Sequence, residues 1–485
     1  MLELAERDMQ REKHAFRTTL RNTLMMTLIA SLLTACNVNT ITRRVLGFNS
    51  LSDITATRVP LMPTEPAPPT ASLTISTAAT VKERGVLRVG IRFDAPPLAS
   101  IDDQGLLEGM DVDIAHEFAK RWLGDASRVS FVQVTSISAP RRVKSREVDL
   151  AMGGLSIARV LDAQIDFSLP YAMDGEALLV RTNSYTDFAS LNGKEVYYID
   201  TQSLPAFNQA QQTAEVTVSV KSEVSYANAI QALLKSQTEG VIGRWRRLRP
   251  ISQRDPAFQV LSVFSPEAQA IMLPQDDSSW ADLVNITLSN MVIDGTYAQI
   301  YQKWWGAPPD LIAYLPGKSQ PTLKELPPTL APKQIYDQMR ISGQMRVGYA
   351  LPGGVLAQLV QLDEGGQPTG LEADIVREVA RRLLAGDANV QFFALQPNQI
   401  AQQLAEGRID LAIGAIQHTQ ENERLMDLTN QLADSGIAQL SGQLVAPTAI
   451  AIATDNSALQ DALNHAIGDM KVDGTYEALR LKWFP

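Results

Sequence analysis

Hydrophobic positions along this chain follow two periods, and each period predicts a kind of element. Leu87 to Ile91 and Val129 to Val134 are rich in β-branched residues and alternate, as strands do. Between them Ile114, Ala115, Phe118, Ala119, Trp122 and Leu123 recur at i, i+1, i+4, i+5, i+8 and i+9, one face of a helix with Asp111 or Asp113 as its cap. The same stripe returns at Ile375, Val376, Val379, Ala380, Leu383 and Leu384. Strand, helix and strand in succession predict βαβ units and a mainly parallel sheet, so the fold class is α/β and the apolar stripes are core.

The recurrence extends to an internal repeat. Gly85-Val-Leu-Arg-Val-Gly90 is echoed by Gly343-Gln-Met-Arg-Val-Gly348. Gly109 pairs with Gly370, Asp149 with Asp410 and Asp166 with Asp427, all at one offset of 261. Toward the carboxyl ends the offset changes to 179, relating Asp294-Gly-Thr-Tyr297 to Asp473-Gly-Thr-Tyr476, Asp276 to Asp455 and Ser278 to Ser457. The second copy therefore lacks a block of 82 residues, the difference between the two offsets, between roughly Leu440 and Ala446. Both copies end in a turn followed by an aromatic helix.

Segments outside the repeat have their own patterns. Five arginines and lysines lie in residues 7 to 21, followed by the apolar run Leu24 to Leu33 and then Thr34-Ala35-Cys36, the order of a secretory signal. Ten residues are too few to span ~30 Å of hydrocarbon. Leu33-Thr34-Ala35-Cys36 resembles the lipobox of bacterial lipoproteins, which implies that residues 1–35 are removed and Cys36 is acylated as a membrane anchor. Residues 36–78 contain Pro60, Pro63, Pro66, Pro68 and Pro69 among Thr, Ser and Ala, and read as a partly extended tether. Seven prolines fall within positions 307 to 333, predicting a semi-rigid linker over 307–336 between a domain at 79–306 and another at 337–485.

Composition narrows the function. Of 485 residues 45 % are apolar and 20 % charged, the balance of a globular protein. Forty-three basic against 53 acidic side chains give a net charge of −10, the wrong sign for a protein that binds by neutralising phosphates, so nucleic acid is not the expected partner. Cys36 is the single cysteine, which excludes an intramolecular disulfide and a thiolate metal cluster. His116, His418 and His465 stand without a second ligand at metal spacing and read as ordinary helix and loop residues; no metal or cofactor is expected.

Gly85-Val-Leu-Arg-Val-Gly-Ile-Arg-Phe-Asp-Ala-Pro-Pro97, Leu107-Glu-Gly-Met-Asp-Val-Asp-Ile-Ala115, Val148-Asp-Leu-Ala151 and Ile165-Asp-Phe-Ser-Leu-Pro-Tyr171 resemble the family 3 extracellular solute-binding proteins, which include the amino-acid receptors of ABC importers. The resemblance implies a periplasmic-binding-protein type II fold, two α/β lobes joined by a hinge, with ligand trapped in the cleft. It also implies crossing strands near Glu176 to Arg181 and Gln269 to Leu273 and a middle lobe of about 183–266. The second copy's missing block matches that lobe, so it is expected to keep only its first lobe, reconnected through Leu440 to Ala446, and to serve as a structural or interaction module.

The cleft departs from the family's pattern. Leu161 and Ala158 occupy the places of the arginine and threonine that grip a ligand carboxylate, and Asn422 and Thr419 those of the second copy. Arg244 stands where an aspartate usually meets the ligand ammonium, and Ala95 and Leu98 replace flanking aromatics. A conventional α-amino acid is thereby disfavoured, because an unpaired cation would repel its ammonium. Two readings stay open. In one, Arg159 and Arg244, with Arg246 or Arg247, coordinate an anionic group, helped by Ser156 and neighbouring backbone amides, and Asp94 near the cleft mouth and Trp245 complete the candidate ligand-binding set. In the other, Gly243 to Pro250 is a solvated basic face with Trp245 against the sheet.

The function expected is a lipid-anchored extracytoplasmic receptor delivering a small polar ligand, an anionic one included, to an ABC permease. The alternative is a degenerate scaffold or sensor that binds protein partners. Some relatives of this fold are dehydratases, but no convergent pair of carboxylates is legible and an enzyme is not expected.

Overall fold

The computed structural model describes residues 74–485 apart from 308, 310–314, 331–332, 385–388, 431, 433–446 and 485. Cys36, the leader 1–35, nearly all of the tether and the reconnection Leu440 to Ala446 lie outside the described residues. None of the described helices is long and apolar enough to cross a membrane.

Two five-stranded sheets share one design. In the first copy Val129–Gln133, Leu87–Ile91 and Leu150–Met152 run parallel, and Met272–Leu273 then inserts antiparallel between Leu150–Met152 and Asp166–Phe167. The second copy repeats order and sense with Asn389–Ala394, Gln344–Tyr349, Leu411–Ile413, Ala451–Ile452 and Asp427–Leu428. Helices Met110–Leu123 and Leu371–Leu383 bury their apolar stripes on these sheets. Each copy closes with a pair of helices, Ser278–Ile293 with Thr296–Trp305 and Ser457–Val472 with Thr475–Trp483. Gly295 and Gly474 make the corner between them at φ +82°, a left-handed backbone that favours glycine. The Asp-Gly-Thr-Tyr repeats thus mark one sharp turn that drives Tyr297 and Tyr476 into the cores.

Asp111 does not cap its helix. The helix starts at Gly109, and Asp111 points inward, accepting hydrogen bonds from Gly153 N (2.6 Å), Gly154 N (3.3 Å) and Tyr171 Oη (2.6 Å). Burial pushes its carboxyl up to about 6, while those hydrogen bonds pull the other way. Glu372 repeats the tie in the second copy through Gly414 N and Ala415 N. An acid in the first turn thus bonds the loop after a neighbouring strand rather than its own helix.

The middle lobe is a second sheet, ordered Ser219–Ser222, Glu195–Tyr198, Val241–Arg244, Glu176–Arg181, Phe258–Val263. Glu176–Arg181 is a central strand of that sheet, antiparallel to both neighbours, and not a crossing strand. Ala177 to Val180 are buried on both faces, so an unbroken apolar run is what this strand needs. The lobe therefore begins at Glu176, seven residues before the expected boundary. Ala172–Asp174 and Glu267–Gln269 cross instead, paired antiparallel as a two-stranded hinge.

In the second copy the chain leaves its sheet at Leu432 and returns at Thr448, joined by Leu432 N to Thr448 O at 2.8 Å; Tyr171 N to Gln269 O at 3.0 Å is the same bond in the first copy. Between these pairs lie 15 residues in the second copy and 97 in the first, so no sequence remains for a middle lobe.

The copies meet through a pseudo-twofold contact made from repeated residues. Ser278 Oγ donates to Asp427 Oδ2 and Ser457 Oγ to Asp166 Oδ2, both at 2.6 Å. Each serine oxygen also accepts from the backbone across the contact, Asp455 N (2.7 Å) and Asp276 N (3.0 Å). The serine amides donate back to Asp455 Oδ1 and Asp276 Oδ1.

The proline-rich segment is more than a spacer. Thr329–Leu330 pairs antiparallel with Thr74–Ile75, Leu315, Leu323 and Leu330 are buried, and Gln420 N donates to Pro316 O. It is strapped along the first copy and touches the second.

Candidate functional site: the hinge and cleft of the first copy

Arg244 ends the strand Val241–Arg244, where the sheet of the middle lobe reaches the hinge. Its Nε donates to Asp174 (3.1 Å), Nη1 to Glu176 and Glu267 (both 3.1 Å), and Nη2 to Asp174 (2.7 Å) and Glu267 (2.9 Å). A guanidinium has five N–H donors, and all five are taken. Asp174 lies on one crossing strand, Glu267 on the other, and Glu176 opens the central strand of the middle lobe. Arg244 thus ties both crossing strands to the start of the middle lobe's central strand. In this arrangement it has no donor left for an anionic ligand. Partial burial works against its charge, but the hydrogen bonds it donates to Glu267 and Asp174 hold it more firmly protonated than an ordinary arginine. Arg246 adds a second cation on Asp174.

Ser156 sits beside this cluster. Its Oγ donates to Glu267 Oε2 and accepts from Gln269 Nε2, both at 2.9 Å, so it orients the carboxylate that Arg244 holds. Trp245 turns away from the cleft: its ring packs 5.0 Å from Trp305 and carries the Arg249 guanidinium at 4.7 Å. With Tyr301, Met173 and Pro266 it lines a cavity of about 190 Å³ behind the hinge. Asp94, on the first lobe, is exposed and accepts from Arg92 Nε at 3.0 Å; that hydrogen bond holds its carboxyl below the usual range. Arg92 also donates to Gly154 O.

Arg159 is drawn elsewhere. Its Nη1 and Nη2 meet Asp469 Oδ1 and Oδ2 of the second copy at 2.8 and 3.2 Å, a bidentate pair between the copies. The structure therefore brings Arg244, Ser156 and, behind the hinge, Trp245 together, and separates Arg159 from them.

Asp174 and Glu267 are not singled out by the sequence, and Glu176 and Gln269 only as strand ends, because they are 23 to 113 residues from the groups they bind. Arg247 differs from its neighbours. It makes no ion pair or hydrogen bond among the described residues, and the protein atoms crowded around its guanidinium, followed by adjacent Arg246, pull it down from the ordinary value. The charges of Asp94 and Asp174 act on it weakly in the opposite direction.

Comparison with known proteins identifies the family. A model of bacterial extracellular solute-binding proteins, family 3, matches residues 87–307 and again 357–485. The chain is 26 % identical over 230 residues to the glutamine-binding protein of an ABC transporter of Bacillus subtilis, covering 47 % of this chain and 84 % of that one. It is 24 % identical over 241 residues to an ABC-transporter arginine-binding protein of Escherichia coli, covering 48 % and 95 %. Among solved structures, an ancestral cationic amino-acid solute-binding protein aligns at 26 % identity with a TM-score of 0.41, covering 47 % of this chain and all of that one. With both copies matched over most of its length, the chain belongs to the bacterial extracellular solute-binding proteins, family 3, and carries the family's domain twice, the second time shortened.

Proposed function

We propose that the first copy is the working receptor, binding a small polar, amino-acid-like ligand between its lobes and presenting it to an ABC permease. The observation that carries this reading is the contrast between the copies: one has both lobes and a paired hinge, the other a single lobe. Relatives named for the glutamine and arginine they bind, in ABC transporters, support an amino-acid-like ligand. Arg247, free of partners among the described residues, is the group that meets an anionic part of the ligand, with the Arg92–Asp94 pair of the first lobe completing the site. Arg244 and Ser156 act through the hinge, and the truncated copy is a structural module.

The test is a thermal-shift screen of the full chain against the proteinogenic amino acids and small dicarboxylates. A carboxylate-bearing ligand is expected to raise Tm saturably, and at 100 Kd the stabilisation is about 2.7 kcal/mol. Arg247→Ala should weaken that ligand about tenfold or more, the loss of one charge-assisted contact. No saturable ligand, or one indifferent to Arg247→Ala, overturns the reading.

Anchoring through an acylated Cys36 is the second element of the proposal, supported by the basic, apolar and small-residue order before it. Several acyl chains on one residue give stable attachment where a single chain is marginal. Cys36→Ala is expected to move the protein from the detergent phase to the aqueous phase on Triton X-114 partitioning; an unchanged partition counts against acylation.

A further inference from the structure

The segment from Leu155 to Asp166 touches the hinge at one end and the second copy at the other. Ile157 N donates to Ala268 O and Ala270 N to Leu155 O, both at 3.0 Å, so the chain around Ser156 lies antiparallel against the crossing strand Glu267–Gln269. Ser156 Oγ adds its bonds to Glu267 and Gln269. A few residues on, the same segment meets the second copy. Arg159 makes its bidentate pair with Asp469, His465 Nε2 lies 2.6 Å from Asp162 Oδ2, and Ser457 donates to Asp166. Ser457, His465 and Asp469 are spaced by eight and four residues, which puts them on one face of the helix Ser457–Val472.

The pseudo-twofold contact gives each of these pairs a counterpart, and the counterparts are not equivalent. At the offsets of the repeat, Arg159 corresponds to Gln420 and Asp469 to Asn290, and that pair is a neutral hydrogen bond, Gln420 Nε2 to Asn290 Oδ1 at 3.2 Å. Asp162 corresponds to Glu423, and His465 to Ile286, which has no polar side chain to offer. The second copy keeps the backbone ties between its own segment and its returning strand, His418 N to Pro447 O at 2.8 Å and Ala449 N to Ile416 O at 2.9 Å, but that strand leads to no middle lobe. The Arg159–Asp469 pair and the Asp162–His465 contact lie on the side of the axis where the segment rests on a hinge between two lobes.

We propose that Asp469 and His465 of the truncated copy are positioning residues for the hinge of the first copy: by fixing Arg159 and Asp162 they hold Ser156 and its neighbours on the crossing strand. A single lobe can do this without a cleft of its own. The Ser278 and Ser457 bonds keep the copies together independently, so losing the charged pair frees the segment without separating the copies. The consequence for ligand binding rests on the first copy being the receptor. The hinge itself is read without a ligand, so the two readings can fail separately.

The test is amide hydrogen exchange of the full chain, read at single residues. Asp469→Ala, alone and with His465→Ala, is expected to speed exchange at Ile157 and Ala270 by about threefold or more, the scale of a partly exposed ion pair. Amides within the central strand Glu176–Arg181 should exchange as in the parent, and the urea midpoint should move little. Arg159→Ala is expected to act likewise, and Arg159→Ala with Asp469→Ala no more strongly than either alone, because one pair is lost in each case. Asn290→Ala removes the neutral counterpart and should leave both hinge amides unchanged. Parent-like exchange at Ile157 and Ala270 in the Asp469→Ala, His465→Ala double variant overturns the proposal. So does an equal rise in Asn290→Ala or along the central strand, which would mean a general loosening of the contact between the copies and no specific hold on the hinge.

Discussion

Replacing Arg244 by alanine is expected to destabilise the protein by about 3–5 kcal/mol, the range seen when one partner of a buried ionic network is removed. The variant would leave Asp174, whose side chain is fully buried, Glu176 and Glu267 facing one another, with only Arg246 remaining on Asp174. Arg244→Lys keeps the charge but has three donors in place of five, and cannot bridge three segments in one plane, so it should recover only part of the loss. Urea denaturation of the full chain at pH 7 checks both statements. An Arg244→Ala variant as stable as the parent would mean that the five hydrogen bonds contribute nothing net to the hinge.

The second large effect has the opposite sign. Asp461→Asn is expected to stabilise the protein above pH 6. Burial, followed by the charges of Asp162 and Asp276, raises the Asp461 carboxyl from 3.8 to about 8. His465, held on Asp162, is the nearby group able to offset this. In the unfolded chain the same carboxyl ionises near 4. A group with a raised folded pKa contributes stability that is fully present below the unfolded value and lost as pH climbs through the folded one. Stability should therefore fall between about pH 4 and pH 8 in the parent and fall less in the variant. Allowing for water reaching a partly exposed group, the gain at pH 8 is about 1–3 kcal/mol. Melting curves at half-unit intervals would show it; identical slopes for parent and variant would rule out Asp461 as the source. Asp166, Asp276, Asp427 and Asp455 are displaced upward as well, chiefly by burial, so a residual slope is expected in the variant.

Much of the fold was legible because the chain states it twice. Leu87 to Ile91 and the stripe from Ile114 to Leu123 have the periods of a buried strand and an amphipathic helix, and the structure uses both as such. The change of offset from 261 to 179 located the shortened region, and the shared bonds at Tyr171 and Leu432 show the same departure point in both copies. The hinge was less legible. An apolar run bounded by charged residues, Glu176 to Arg181, suits a crossing strand and a central strand equally, and burial on both faces decides between them only in three dimensions. Arg244 could be placed by position but not by partners, since Asp174 and Glu267 reach it from strands distant in sequence. Asp166, Asp276 and Ser278 and their counterparts were visible as repeated letters. Repetition does not distinguish residues kept for each copy's own core from residues that meet across a pseudo-twofold axis, and here they meet.

That contact also decides which parts of the molecule can move. The first lobe is fastened to a single-lobed copy by reciprocal serine and aspartate bonds, by the Arg159–Asp469 pair and by the strap through Pro316. These links anchor one jaw to a block of about 150 residues that has no hinge of its own. Bending at Ala172–Asp174 and Glu267–Gln269 would then be borne by the middle lobe, swinging against a heavier base. A two-jawed pincer with one jaw fastened to a single-lobed copy of itself is a lever on a stand.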